Sequence, residues 1–190
     1  DILSHATNRI AEGEVLQLLN IHNPEASEDD YMEVIRRKTA TLFEAGARLG
    51  SVICGAPAGQ EQAMSDYGQH LGIAFQLVDD ALDYNSSNDD LGKNIGDDLA
   101  EGKPTLPLIR AMQSAGEADS KRLRHIIEKG GLDEIDFVMR MIHASDAIAY
   151  TLNLAQTEAR LAKAALEAIP GSPQRDALAS LADFAVARTH

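Results

Sequence analysis

Phe75-Gln76-Leu77-Val78-Asp79-Asp80-Ala81-Leu82-Asp83-Tyr84 is the stretch whose spacing decides how the rest of the chain is read. Gln76, Asp79, Asp80 and Asp83 fall at i, i+3, i+4 and i+7, so on a helix of 3.6 residues per turn they share one face. Leu71, Phe75, Val78 and Leu82 fall on the opposite side and predict a buried face. Three carboxylates on one stripe repel one another and resist burial. The helix is therefore expected to pack one side into a core and to turn an acidic stripe towards positive charge. Mg²⁺ is the natural counterpart: it prefers oxygen, keeps several waters, and takes one or two carboxylates together with substrate phosphate oxygens. The stripe predicts a metal–diphosphate site.

The flanking sequence favours this over a plain solvated face. Asp79, Asp80, Asp83, Asp89, Asp90, Asp97, Asp98 and Glu101 stand against a single base, Lys93. Solvated helical faces interleave both signs, because like charges at i,i+4 cost roughly 0.2–0.5 kcal/mol each. The stretch closes on Glu101-Gly102-Lys103-Pro104, which adds a second lysine and a helix start at Pro104. Two other motifs fail. A calcium loop opening at Asp83 would need glycine at Asn88 and glutamate at Asn94. Gly92-Lys93 and Gly102-Lys103 lack the glycine and Ser/Thr placement of a phosphate-binding P-loop.

Across 190 residues, 30 acids outweigh 17 lysines and arginines, a net charge of −13. That argues against nucleic acid or an anionic membrane surface as the main partner. A lone cysteine, Cys54, excludes an internal disulfide and fits a reducing, cytoplasmic compartment. Within the apolar run Val52-Ile53-Cys54 it is expected in the core. No stretch is long and apolar enough for a transmembrane span. The chain opens without Met in mid-pattern (Ile2, Leu3, Ala6, Ile10), which reads as a cut inside a helix.

The periodicity is helical throughout, with no strand alternation and no repeat. The first helix, to about residue 19, carries Leu3, Ala6, Ile10, Val15 and Leu18 and ends at His22-Asn23-Pro24. Ser27-Glu28-Asp29-Asp30 resembles a capping box opening a helix to about Ile53. After Gly55-Ala56-Pro57 a helix runs from about 59 to 85, followed by a polar loop over 86–103. Further helices are expected at 104–114, 117–129, 132–143, 144–167 and 171–188. Long helices with short connections predict an all-α antiparallel bundle over residues 1–190. Gly46, Gly50 and Gly72 suggest close helix packing. His70, His125 and His143 show no ligand-like grouping. Lys38, after Arg36 and Arg37, reads by itself as a surface lysine, and Gln17 as a helix-surface or packing residue.

The run from Phe75 to Tyr84 resembles the second aspartate-rich motif of the trans-isoprenyl (polyprenyl) diphosphate synthases. So does Gly92-Lys93-Asn94-Ile95-Gly96-Asp97-Asp98-Leu99, followed by Glu101-Gly102-Lys103-Pro104-Thr105-Leu106-Pro107-Leu108. Lys38-Thr39 before Leu42-Phe43 is similar to the family's Lys-Thr pair. Glu12-Gly13-Glu14-Val15-Leu16-Gln17-Leu18 is similar to the form in its medium- and long-chain branch. The resemblance covers the whole chain and implies an isoprenoid-synthase bundle around a deep central cavity, with its N-terminal helices missing, and a homodimer built partly on the helix matching residues 1–19. It implies Mg²⁺-dependent condensation of an allylic diphosphate with isopentenyl diphosphate. Asp79 would be the main metal ligand, and Asp80 and Asp83 would bind metal or its waters. Lys38, Lys93 and Lys103 would hold the allylic diphosphate. Thr39 and Gln76 would sit beside the ionising carbon.

One departure stands out. The family carries an earlier Asp-Asp-x-x-Asp cluster on a facing helix, and none precedes Lys38; Asp29-Asp30, with Met32 and Glu33 following, has the wrong pattern. The expectation is weak binding of Mg²⁺ and diphosphate and no turnover by these 190 residues alone. A non-catalytic subunit of a two-chain synthase would also lack that cluster, but has no reason to keep a charge-costly stripe. A terpene cyclase motif fails, because Gly92 and Gly96 stand where Ser/Thr and Glu are needed after Asn88.

Overall fold

The computed structural model describes residues 1–84 and 96–188, which are helical with no strand among them. Helix α1 spans Ile2–Asn20. Helix α2, Glu28–Ile35, opens on the expected capping box, Ser27 Oγ accepting from Asp30 N–H and Asp30 from Ser27 N–H. One π-turn, Arg36–Ala40, then separates α2 from α3, Thr41–Ile53. Helix α4 spans Ala58–Leu82 and α5 Asp97–Ala100. There follow α6 (Leu106–Ser114), α7 (Glu117–Lys129) and α8 (Ile135–Ala144). Helices α9 (Ala147–Ala165) and α10 (Pro173–Ala187) complete the chain. The single helix expected over 27–53 is thus interrupted by the π-turn, whose extra residue shifts the helical phase, a device common at functional sites.

Helix α4 is the axis. It lies between α3 and α9 and also touches the π-turn, α6 and α10. Tyr67, Leu71, Ile73, Ala74, Leu77, Val78 and Ala81 are all buried, so α4 is enclosed on several sides rather than two-faced as the periodicity predicts. Phe75 and Leu82, expected in the buried face, are only half-buried, and Asp80, expected on the open stripe, is 3% exposed. A helix surrounded by neighbours buries residues from most of its circumference. A second core of Leu108, Leu123, Ile127, Val138 and Ile142 fills the space among α6, α7 and α8.

Two close approaches fix the π-turn. A Cβ on Gly13 of α1 would lie 2.5 Å from Lys38 N, and one on Gly72 of α4 would lie 2.6 Å from Ala40 Cα. Backbone sits against backbone on both sides, and only glycine permits it. Gly72 meets expectation here, whereas Gly46 and Gly50 have nothing within 4 Å. Cys54 is also not a core residue: it is exposed, as are Val52 and Ile53, the latter at 81%. This apolar run is the last turn of α3, where Ser51 is the residue turned inward. Leu3, Val15 and Leu18 of α1, expected as packing positions, are likewise exposed.

Candidate functional site

A cavity of about 330 Å³ opens among α1, α2, the π-turn, α4, α5 and the Lys103–Thr105 link. Every described residue of the predicted site reaches it: Lys38, Thr39, Gln76, Asp79, Asp80, Asp83 and Lys103 line its wall. Lys93 lies outside the described residues. The structure adds Gln17, Tyr31, Asp97, Asp98 and Glu101 to the lining.

The π-turn places Lys38 and Thr39 side by side on this wall. Lys38 Nζ is held by α1, 2.5 Å from Gln17 Oε1 and 2.8 Å from Glu14 Oε2. Gln17 is thus an orienting partner and not the surface residue its position suggests; the i,i+3 pairing of Glu14 and Gln17 on one helix face was the available signal. Thr39 Oγ1 donates to Gln76 Oε1 at 2.9 Å, and Gln76 Nε2 donates to Asp80 Oδ1 at 2.7 Å. On the far side, the Tyr31 hydroxyl donates to Asp80 Oδ2 at 2.5 Å. Tyr31 stands on α2, ahead of the π-turn, and no local spacing marks it as a partner of Asp80, 49 residues further on.

Burial pushes the Asp80 carboxyl up to about 7, with Asp98 adding repulsion and the bonds from Tyr31 and Gln76 opposing the shift. Burial and Asp80 together raise the Tyr31 phenol well above its usual range. Across the cavity, Lys103 Nζ lies 2.6 Å from Glu101 and 3.2 Å from Asp98. Burial works against the Lys103 ammonium, but these two carboxylates outweigh it and hold its pKa above the ordinary value. Asp83 ties α4 to α5: its Oδ2 accepts from Asp98 N–H at 3.4 Å, and its carbonyl from Gly96 N–H at 3.2 Å. Among the described residues no three His, Cys, Asp or Glu side chains converge closely enough to cage a metal ion.

The model of the polyprenyl synthetase family matches residues 1–142, three quarters of the chain and all of the cavity wall. The chain belongs to the polyprenyl synthetase family. Within that family it is 47% identical over 190 residues to octaprenyl diphosphate synthase of Haemophilus influenzae. It is 46% identical over 189 residues to octaprenyl diphosphate synthase of Escherichia coli. In each case it spans 58% of the relative's length. Among solved polyprenyl synthetase structures, a polyprenyl synthase from Caulobacter crescentus complexed with calcium and isoprenyl diphosphate superposes with a TM-score of 0.94 at 43% identity, over 100% of this chain and 58% of that one. A decaprenyl diphosphate synthase from Rhodobacter capsulatus gives 0.92 at 43% identity, over 100% of this chain and 59% of that one. The expected all-α isoprenyl-synthase fold is therefore the observed one.

Proposed function

We propose that these residues form the allylic-diphosphate side of a polyprenyl diphosphate synthase. The enzyme would condense an allylic diphosphate such as farnesyl diphosphate with isopentenyl diphosphate, giving an octaprenyl-length product of the kind that supplies the side chain of ubiquinone. One observation carries the reading. The described cavity wall sets six carboxylates (Asp79, Asp80, Asp83, Asp97, Asp98, Glu101) against two lysines, a formal balance of −4. Like unit charges 4 Å apart repel by about 4 kcal/mol near a protein surface, so a diphosphate binds such a wall only through intervening cations. The relative described with calcium and isoprenyl diphosphate supports the same pairing of divalent ion and substrate. Among the described residues the donor set is all hard oxygen and forms no cage, which fits a hydrated Mg²⁺ that would complete its shell with water and phosphate oxygens. Asp79 and Asp83, both half-buried on the cavity wall, would hold it.

When bound, Mg²⁺ neutralises the leaving diphosphate. Lys38 and Lys103, which in this structure rest on Glu14, Gln17, Glu101 and Asp98, turn to phosphate oxygens when substrate arrives. Thr39 and Gln76 present oxygen to the carbon that gains positive charge. The apolar Val34 and Ile35 on the same wall exclude water that would quench the cation to an alcohol. Compartment and assembly follow the resemblance: a cytoplasmic homodimer, with the lone cysteine consistent with reducing surroundings.

The test is a titration of inorganic diphosphate into this protein, followed by ³¹P NMR with and without Mg²⁺. Binding in the millimolar range that needs Mg²⁺ and weakens about tenfold or more in Asp79→Ala is expected, the loss of one charge-assisted contact being worth at least 1.4 kcal/mol. Diphosphate binding that is indifferent to EDTA and to Asp79→Ala would overturn the proposal.

A further inference from the structure

A glutamine amide can face a neighbour with either end, and the two ends carry opposite partial charge. Gln76 has a neighbour on each side. Its Nε2 points at Asp80 Oδ1, 2.7 Å away, and its Oε1 receives the Thr39 hydroxyl at 2.9 Å. The orientation follows from chemistry as well as coordinates, because the ionised Asp80 carboxylate can only accept, from Gln76 on one oxygen and from Tyr31 on the other. The NH₂ end is therefore committed to the buried carboxyl and the carbonyl to Thr39. Thr39 uses its hydroxyl hydrogen on that carbonyl, which leaves its lone pairs for the cavity that both side chains line. A flipped Gln76 would donate to Thr39 and turn the Thr39 hydrogen outward, making the same edge electropositive.

Asp80 is itself pinned from behind. Tyr31 on α2 donates to its second oxygen at 2.5 Å, and the two residues are 6% and 3% exposed. Both Asp80 oxygens are thus engaged within the protein, by two different helices.

We infer that Tyr31 and Asp80 are positioning residues that set the polarity of the Gln76–Thr39 chain, so that the cavity edge offers oxygen lone pairs to a cationic carbon. Asp80 acts through Gln76 instead of through the metal. The orientation of Gln76 stands on the geometry alone; its use towards a cation rests on the function proposed above.

Three variants and two probes test this. Side-chain amide exchange of Gln76 is read by NMR on ¹⁵N-labelled protein. Affinities are measured by calorimetry for inorganic diphosphate with Mg²⁺, and for a farnesyl ammonium ion added to the Mg²⁺-diphosphate complex. Asp80→Ala removes the acceptor: Gln76 protection and ammonium affinity each fall about tenfold, the worth of one buried hydrogen bond. Asp80→Asn keeps an oxygen for Gln76 and turns its own NH₂ to the Tyr31 oxygen, so both readouts stay within about threefold of the unaltered protein. Combining Tyr31→Phe with Asp80→Asn strips that NH₂ of its acceptor and restores the Asp80→Ala behaviour. Mg²⁺-diphosphate affinity falls equally in all three and by no more than about threefold, because each loses the same single charge from the wall and none loses a group that touches the metal. Losses of that affinity of about tenfold or more in both Asp80→Ala and Asp80→Asn, with Gln76 still protected, would make Asp80 a metal ligand and sink the inference. So would a Gln76 amide that exchanges like a surface glutamine in the unaltered protein. If the broader function fails instead, the unaltered protein binds no diphosphate with Mg²⁺, and the exchange series still reads the positioning role.

Discussion

Asp80 shows how a single residue can be placed correctly by spacing and still have its environment misjudged. On the sequence it is one of three carboxylates on an open stripe; in the fold it is 3% exposed and bonded to Tyr31 and Gln76. A consequence is measurable through pH. Burial raises its pKa to about 7, above the ordinary aspartate value. Between roughly pH 4 and pH 7 the folded protein therefore holds a proton at Asp80 that the unfolded chain has released, and stability falls as pH rises through that window. Above pH 7 both states are ionised and this contribution is flat. Urea denaturation across pH 4–8 should show the falling component in the unaltered protein and its absence in Asp80→Asn. Identical pH profiles for the two proteins would show that the Asp80 proton does not contribute to stability.

Helical elements were legible because their signals are local. The capping box at Ser27, the break at His22-Asn23-Pro24, the α4 periodicity and the later helices each depend on residues a few positions apart. The π-turn at Arg36–Ala40 was not legible, because it answers to contacts made by Gly13 from α1 and Gly72 from α4. Gly13→Ala would press a methyl group into the Lys38 backbone, which cannot yield as a side chain does, and should destabilise by about 1–3 kcal/mol. It should also weaken Mg²⁺-dependent diphosphate binding by moving Lys38. Gly46→Ala makes the opposite prediction. Gly46 has open space around it in a helical conformation, so alanine should stabilise by about 0.5–1 kcal/mol. Thermal denaturation of the pair gives shifts of opposite sign; a rise for both would mean that α1 does not clamp the turn.

At the scale of the whole molecule, α1 leaves Leu3, Val15, Leu18 and Leu19 exposed, the last at 72%. Grouped apolar side chains on one helix favour association with another surface. Light scattering should therefore give a mass above the 20.5 kDa monomer at tens of micromolar, and Leu18→Glu with Leu19→Glu should return it to the monomer. A clean monomer of the unaltered chain would count against this. The 190 residues carry one acidic cluster where the family resemblance calls for two facing ones, so incubation with farnesyl and isopentenyl diphosphates should yield no octaprenyl product; product from this chain alone would refute that expectation.

The amino-acid sequence determined the helical class, nearly every element, and a set of eight site candidates, of which the seven among the described residues converge on one cavity. All of that is encoded in spacing along the chain, where a helical period converts sequence distance directly into direction. Only the tertiary structure decided that Gln17 and Tyr31 belong to the site, that Asp80 is buried, that Cys54 is at the surface, and which glycines are pressed against a neighbour. These depend on how distant segments pack together: Tyr31, for one, meets Asp80 across 49 residues. No local pattern records such a meeting, because the energy that fixes it comes from packing several helices together at once.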